Sequence, residues 1–445
     1  MLHCMQRAMV MAVLLSLSML VHAGQAPRPN IIFILADDYS IDNVGCYGAE
    51  TFLQATPNLD RLATEGMRFS QVYCHPKCGP TRISLQTGQY PFRHGSLGVT
   101  DKAGVRSVKD ERPLLAEILG SAGYVTGTFG KSERDGFDEY LDTGNGADYY
   151  REQLAHHTGT LDYAQPVYSQ DEIMHYALDF IERHRAGPFY CYIPLNLPHV
   201  PFDPPPFLLH QVDFPWITAD DTLDLAGYQA ANPGKTVDDL RQAAVDAVAG
   251  EDVYGAMNTM IDSYVGDVLA KLQELDIDQN TLVLFAGDNG SLGQRSDVWD
   301  PQTASYRPID GGKDNYGDCG GRVPFLLRWP ATVAGGDVPT HLLDFTDLVP
   351  TFAELAGAKA PENIDGISVV PALIGSTAAG HEQKKHEFLY WEFHERGSIQ
   401  AVRMGPWKGV RLAADKPLEL YNLEKDIDES DNVAAEHPDI VEKMT

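Results

Sequence analysis

Two apolar runs some 250 residues apart end the same way. "NIIFILADD" (30–38) closes on Asp37 and Asp38, and "TLVLFAGDNG" (281–290) closes on Asp288 and Asn289 before its last glycine. Short, continuously apolar runs of this kind fit strands buried on both faces of a sheet. "PFYCYIPLNLPH" (188–199) and "RVPFLLRWP" (322–330) read the same way. Helical patterns lie between them. "TPNLDRLATEG" (56–66) offers a threonine cap and a proline in the first turn. Between Tyr254 and Leu272, Met257, Met260, Ile261, Tyr264, Val265, Val268, Leu269 and Leu272 recur at i, i+3, i+4 spacing, which makes one apolar helix face. Strands alternating with helices predict an α/β fold built on a large, mostly parallel sheet flanked by helices. Such sheets bind ligands at the carboxyl ends of their strands, so the polar residues that end the four runs are expected on one rim.

The 445 residues suffice for a large domain and a smaller one. Composition turns loop-like from Pro361 to Lys385. Beyond it, "HEFLYWEF", "IQAVRMGPWKGVRL" and "LELYNLEKD" read as strands of a small C-terminal antiparallel-sheet subdomain. The last stretch, "EHPDIVEKMT", opens a helix, and whether the natural chain continues past it is left open. At the other end, Arg7 precedes an apolar run from Ala8 to Val21 and a small-residue cleavage site at Val21-His22-Ala23. This is the pattern of a signal peptide, and the run is shorter than the roughly 20 residues of a membrane span. The expected division is therefore signal peptide 1–23, catalytic domain 24–380 and C-terminal subdomain 381–445, in a protein exported to the periplasm or the extracellular space without stable membrane insertion.

The net charge of −29 argues against a partner such as nucleic acid or an anionic membrane. It does not exclude an anionic substrate, because a pocket can be locally basic. Cleavage after residue 23 would remove Cys4 and leave Cys46, Cys74, Cys78, Cys191 and Cys319. An odd number in an oxidising compartment flags one thiol outside any disulfide, although spacing does not say which.

If the strands ending at Asp37, Asp38, Asp288 and Asn289 are neighbours, three carboxylates and an amide oxygen converge. An all-oxygen set selects a hard cation, Ca²⁺ or Mg²⁺. The plainer alternative is that each pair caps the turn that follows it. The segment "CHPKCGPTRISLQTG" (74–88) tips the balance toward the metal. Its Gly79-Pro80 marks a turn into a helix, with Cys78 at the start, where the helix dipole favours an anion. Arg82 follows one turn along.

Cys78-Gly79-Pro80-Thr81-Arg82, followed by Leu85-Gln86-Thr87-Gly88, resembles the signature of type I sulfatases in the alkaline-phosphatase-like superfamily. The resemblance extends over nearly the whole mature chain. "RPNIIFILADD" is similar to the family's first metal strand, "FGK" ending at Lys131 to the start of its Gly-Lys-Trp-His motif, and "NLPHVPF" to its histidine loop with His199. "FAGDNG" resembles the second metal strand, and "GGKDNYGDCGGRVPFLLRWP" the lysine segment with Lys313. The resemblance implies that a formylglycine-generating enzyme oxidises Cys78 to formylglycine. It implies a Ca²⁺ site made by Asp37, Asp38, Cys78, Asp288 and Asn289, with Ca²⁺ preferred over Mg²⁺. The hydrated aldehyde would attack a sulfate ester, helped by Arg82, Lys131, His199 and Lys313. "YWEFHERGSIQAVRMGPWKGVR" (390–411) resembles the C-terminal segment of sulfatases acting on sulfated glycans, which places His394, Glu395 and Arg396 as substrate contacts for a sulfated saccharide.

The chain departs from the pattern at Glu133, which stands where the family usually has a histidine beside the formylglycine. Either another group such as His75 takes that role, or the loop runs elsewhere, or activity is weakened. A phosphonate monoester hydrolase or phosphodiesterase of the same superfamily, and a non-catalytic glycan-binding relative, are the competing readings.

Overall fold

The computed structural model describes residues 28–49, 56–96, 98, 113–131, 134–144, 148–291, 313, 318–393, 398–427 and 429–445. The expected signal peptide lies outside them. All four apolar runs form strands. In chain order the first ten strands are β1 (Asn30–Ala36), β2 (Met67–Arg68), β3 (Val72–Tyr73), β4 (Val125–Gly130), β5 (Glu139–Asp142), β6 (Tyr150–His156), β7 (Gly159–Tyr168), β8 (Phe189–Pro194), β9 (Thr281–Gly287) and β10 (Phe325–Arg328). All but β3 join one sheet in the order β2–β10–β9–β1–β8–β4–β5–β6–β7.

The five central strands, β9–β1–β8–β4–β5, run parallel. The flanks are antiparallel: β10 and β2 on one side, β6 and β7 on the other. The expected parallel sheet is thus the centre of a larger mixed one. One expectation fails here. Because β10 runs against β9, its carboxyl end points to the far rim. Arg328 there pairs with Glu65 and Asp278 at 2.6 Å each, away from the other three strand ends.

Every residue of β1, β8 and β9 is buried, as continuous apolar runs require. Alternate side chains of β1 serve two cores. Ile32 and Ile34 face the Gly250–Glu274 helix, whose expected apolar stripe is buried throughout. Ile31, Phe33 and Leu35 face the other layer, where Phe33 meets Phe352 edge-on. The Pro57–Glu65 helix begins at Thr56 as expected, but Thr56 does not cap it with its hydroxyl. Its Oγ1 accepts from the Gly45 amide at 2.9 Å, and Asp262 on the long helix takes the orphan amides of Asn58 and Leu59 at 3.0 and 2.9 Å.

Leu343–Asp344 forms β11, which pairs with β3. The C-terminal segment folds as expected into an antiparallel sheet of β12 (Leu389–Phe393), β13 (Ile399–Met404), β14 (Trp407–Arg411) and β15 (Glu419–Asn422). Its inner face, Leu389, Trp391, Phe393, Ala401 and Val410, packs with Tyr73. Arg403 crosses the seam to bond Tyr73 and Gln71. Among the described residues, no helix is long and apolar enough to cross a membrane.

Candidate active site

Parallel pairing of β1 with β9 sets Ala36 opposite Gly287, so the residues that follow each strand meet at one rim. Asp38 takes a left-handed conformation, φ +59°, which aspartate tolerates better than most residues. Its backbone N–H donates to Asp288 Oδ1 at 3.0 Å, and Asn289 Nδ2 donates to Asp38 Oδ1 at 2.8 Å. Asp37, Asp38, Asp288 and Asn289 are all buried.

The Cys78–Thr87 helix starts at this rim, with Cys78 as its first residue, as the sequence predicts. Cys78 is 7% exposed, and its Sγ lies within 4.8 Å of an oxygen from both Asp37 and Asp288. Burial pushes the thiol pKa up. Cys46, Cys74, Cys78 and Cys191 are free thiols, so pairing does not single one of them out.

Arg82 sits one turn along the helix, but its guanidinium is engaged by the scaffold. Nε and Nη2 both reach Asp288 Oδ2 at 2.8 Å, and Nη1 donates to the Lys131 carbonyl at 2.6 Å. Lys131 follows β4. Gly130 before it has φ +133°, and a Cβ there would lie 2.1 Å from the Pro194 carbonyl oxygen, so only glycine lets β4 close on β8. The Lys131 ammonium bonds Asp37 Oδ2.

His199 lies just past β8. Its Nδ1 is 2.6 Å from Val200 O, which makes it the donor and leaves Nε2 facing Lys313 Nζ at 3.0 Å. Lys313 also pairs with Asp38 Oδ1 at 2.7 Å, and His199 Nε2 is 3.7 Å from Asp38 Oδ2. Burial pushes the His199 pKa down. Burial also opposes the charge on Lys313, but Asp38 outweighs it and holds the ammonium protonated. The lysine therefore donates to a neutral imidazole.

Three buried oxygens at this rim have no hydrogen-bond partner among the described residues: Asp37 Oδ1, Asp38 Oδ2 and Asn289 Oδ1. A buried acceptor left so costs about 1–3 kcal/mol. Burial also drives the Asp288 carboxyl up to about 7, with the Asp37 charge adding to it. For Asp37, burial is outweighed by Lys131 and Arg82, and its pKa lies well below the usual range. Unpartnered oxygens from three neighbouring residues, beside a carboxyl strained by its neighbour's charge, fit a hard divalent cation.

His75 is buried with its ring edge-on to Tyr90, and burial pushes its pKa down. Glu133, His394, Glu395 and Arg396 lie outside the described residues. The sequence also gave no sign of the frame under the histidine loop. Asn196 Oδ1 accepts from Thr143 Oγ1 at 2.8 Å and Gln170 Nε2 at 3.2 Å. Asn196 stands inside the quoted "NLPH", but the other two are far from any motif.

Comparison with known proteins agrees with this geometry. Residues 29–358 match the sulfatase family model, and residues 316–445 match that of the N-sulphoglucosamine sulphohydrolase C-terminal region. Arylsulfatase G of Rattus norvegicus is 29% identical over 497 aligned positions, covering 95% of this chain and 86% of that protein. N-acetylgalactosamine-6-sulfatase of Canis lupus familiaris is also 29% identical, covering 87% of this chain and 72% of that protein. The crystal structure of Ps i-CgsB in complex with k-i-k-neocarrahexaose superposes with a TM-score of 0.73 at 28% identity, covering 94% of this chain and 91% of that one. With the family matched across most of its length and the strand-end carboxylates gathered around Cys78, the chain belongs to the sulfatase family and is a sulfuric ester hydrolase.

Proposed function

We propose that this sulfatase is exported and releases sulfate from a saccharide, using formylglycine made from Cys78 and a Ca²⁺ ion held by Asp37, Asp38, Asp288 and Asn289. The single observation that carries the reading is the trio of unpartnered buried oxygens, Asp37 Oδ1, Asp38 Oδ2 and Asn289 Oδ1, beside Cys78. The saccharide rests on the relatives: one is named for an N-acetylgalactosamine sulfate and another is solved with a neocarrahexaose. The N-terminal apolar run supports export. A formylglycine-generating enzyme is the partner that maturation requires.

When bound, the cation lowers the pKa of an oxygen nucleophile and offsets the charge of the sulfate. Oxidation of Cys78 to the aldehyde, followed by addition of water to give its hydrate, would supply that nucleophile in place of a thiol. The rest falls to this chain's own side chains. Lys131 and Lys313 border the ligand carboxylates and present positive charge to the sulfate oxygens. Arg82 fixes Asp288 and the backbone at Lys131, so it acts on the site's geometry. The Lys313–His199 pair holds a proton across 3.0 Å and passes it to the leaving alcohol. His394, Glu395 and Arg396 contact the sugar.

The test is sulfate release from a panel of sulfated mono- and disaccharides, with the chain co-expressed with a formylglycine-generating enzyme. Phosphate and phosphonate esters run alongside, and Cys78→Ala is the control. Release by the parent alone, lost to a chelator and restored by Ca²⁺, is expected. Absence of sulfate release while mass spectrometry shows the aldehyde, or faster cleavage of phosphonates, would sink the reading.

A further inference from the structure

His199 rides on the Asn196–Pro204 loop, and two consecutive tyrosines bind that loop along its length. Tyr149 Oη lies 2.8 Å from the Asn196 carbonyl and 2.7 Å from the His199 carbonyl, sharing its proton between them. The Tyr149 N–H donates to Asp203 Oδ2 at 3.2 Å, and Tyr150 Oη donates to the Pro204 carbonyl at 3.0 Å. Asp203 is anchored in turn by Arg241, whose Nη2 and Nε donate to Oδ2 at 2.6 and 3.0 Å. Beneath the loop, Gln170 Oε1 accepts from the Asn196 N–H at 3.0 Å, and Thr143 holds the Asn196 side chain. Tyr149 is fully buried, and its ring stacks on Tyr168 at 5.8 Å.

Most of these bonds fix the loop at its two ends. The Tyr149 hydroxyl is different, because one of its acceptors is the carbonyl of His199 itself. With Nδ1 tied to Val200 O, the ring has little freedom once its backbone is placed. The position of Nε2 against Lys313 is then set largely by where Tyr149 holds that carbonyl. We propose that Tyr149 is a positioning residue for sulfate-ester cleavage: its hydroxyl holds the His199 carbonyl so that the imidazole meets the leaving oxygen. The proposal rests on the reading of His199 and Lys313 as the proton source for that oxygen.

A proton source matters most when the departing alcohol is a poor leaving group. Tyr149→Phe keeps the buried ring and removes only the hydroxyl. The matured, Ca²⁺-loaded protein would be assayed with aryl sulfates of graded phenol acidity, from 4-nitrophenyl to phenyl. The expected result is a kcat loss of about tenfold with phenyl sulfate and less than about twofold with 4-nitrophenyl sulfate, at unchanged KM. A misfolded fraction would scale all substrates alike. His199→Gln serves as reference, and Tyr149→Phe should add nothing to it in the double variant.

A steep leaving-group dependence in His199→Gln beside a flat one in Tyr149→Phe overturns the proposal alone. A flat dependence in both overturns the reading of His199 and the proposal with it. If Tyr149→Phe fails to fold, Thr143→Val, which frees the Asn196 side chain from the same frame, should show the same steepening in weaker form. An equal loss for every leaving group in that variant refutes the positioning role.

Discussion

Replacing Arg82 by methionine removes the positive charge that lies closest to Asp288 and leaves a chain of similar length in its place. Three contacts go at once: the Nε hydrogen bond to Asp288 Oδ2 at 2.8 Å, the ion-pair contact of Nη2 with the same oxygen at 2.8 Å, and the Nη1 hydrogen bond to the Lys131 carbonyl at 2.6 Å. The orphaned carbonyl costs about 1–3 kcal/mol. Breaking a buried ion pair by removing one partner costs about 3–5 kcal/mol. The two overlap in one side chain, so we expect a total of about 4–6 kcal/mol at pH 8 in the absence of divalent cations. Two conditions should shrink the loss. A bound cation restores the missing charge beside Asp288, so saturating Ca²⁺ should recover at least half of it. Acid should also help. The Asp288 carboxyl is already pushed up to about 7 by burial and by Asp37, and without Arg82 it rises further. A carboxyl with a raised folded pKa stabilises the fold most below its ordinary pKa, near 3.8, and loses that contribution as pH rises through the folded value. The deficit should therefore be smaller at pH 5.5 than at pH 8. Urea midpoints of parent and variant, with and without Ca²⁺ at both pH values, give the answer at constant m. A loss that is the same in all four conditions, or below about 1 kcal/mol, would refute the electrostatic account of this site.

Two further outcomes test the frame around the site. Asp262→Ala strips the carboxylate that caps the Pro57–Glu65 helix from the neighbouring long helix, and it should lower stability by about 1–3 kcal/mol in urea titrations while leaving kcat per folded molecule unchanged. Asp171 accepts from Tyr264 Oη at 2.6 Å, and burial raises its pKa to about 6, so its contribution to stability is full below about pH 4 and falls until about pH 6; Asp171→Asn should be the less pH-dependent protein, gaining up to about 3 kcal/mol on the parent between pH 4 and pH 8, and parallel curves would contradict this.

The sequence revealed those parts of the site that sit at the ends of continuous apolar runs. Asp37, Asp38, Asp288 and Asn289 could be placed because a buried parallel strand is a visible pattern and its carboxyl end is a known address. Cys78 could be placed because glycine and proline mark the turn into its helix. The direction of β10 could not be read, because an apolar run looks the same in either sense. The engagement of Arg82 was equally hidden: helical spacing puts it one turn from Cys78 but does not say whether it faces the ligand or the Asp288 carboxylate. Asp262 as a cap for a helix some 200 residues away, and Tyr149 under His199, are products of tertiary packing that leave no local trace in sequence.

The 7% exposure of Cys78 sets a schedule for synthesis. If Cys78 matures as proposed, the enzyme that reaches its sulfur has to work before the Cys78–Thr87 helix is locked against Asp288, and that lock waits for a residue made 210 positions later. At roughly 5–20 residues per second the interval is on the order of ten to forty seconds. Slow translation between these points would widen the window for modification, and a chain that closed early would keep its thiol for good.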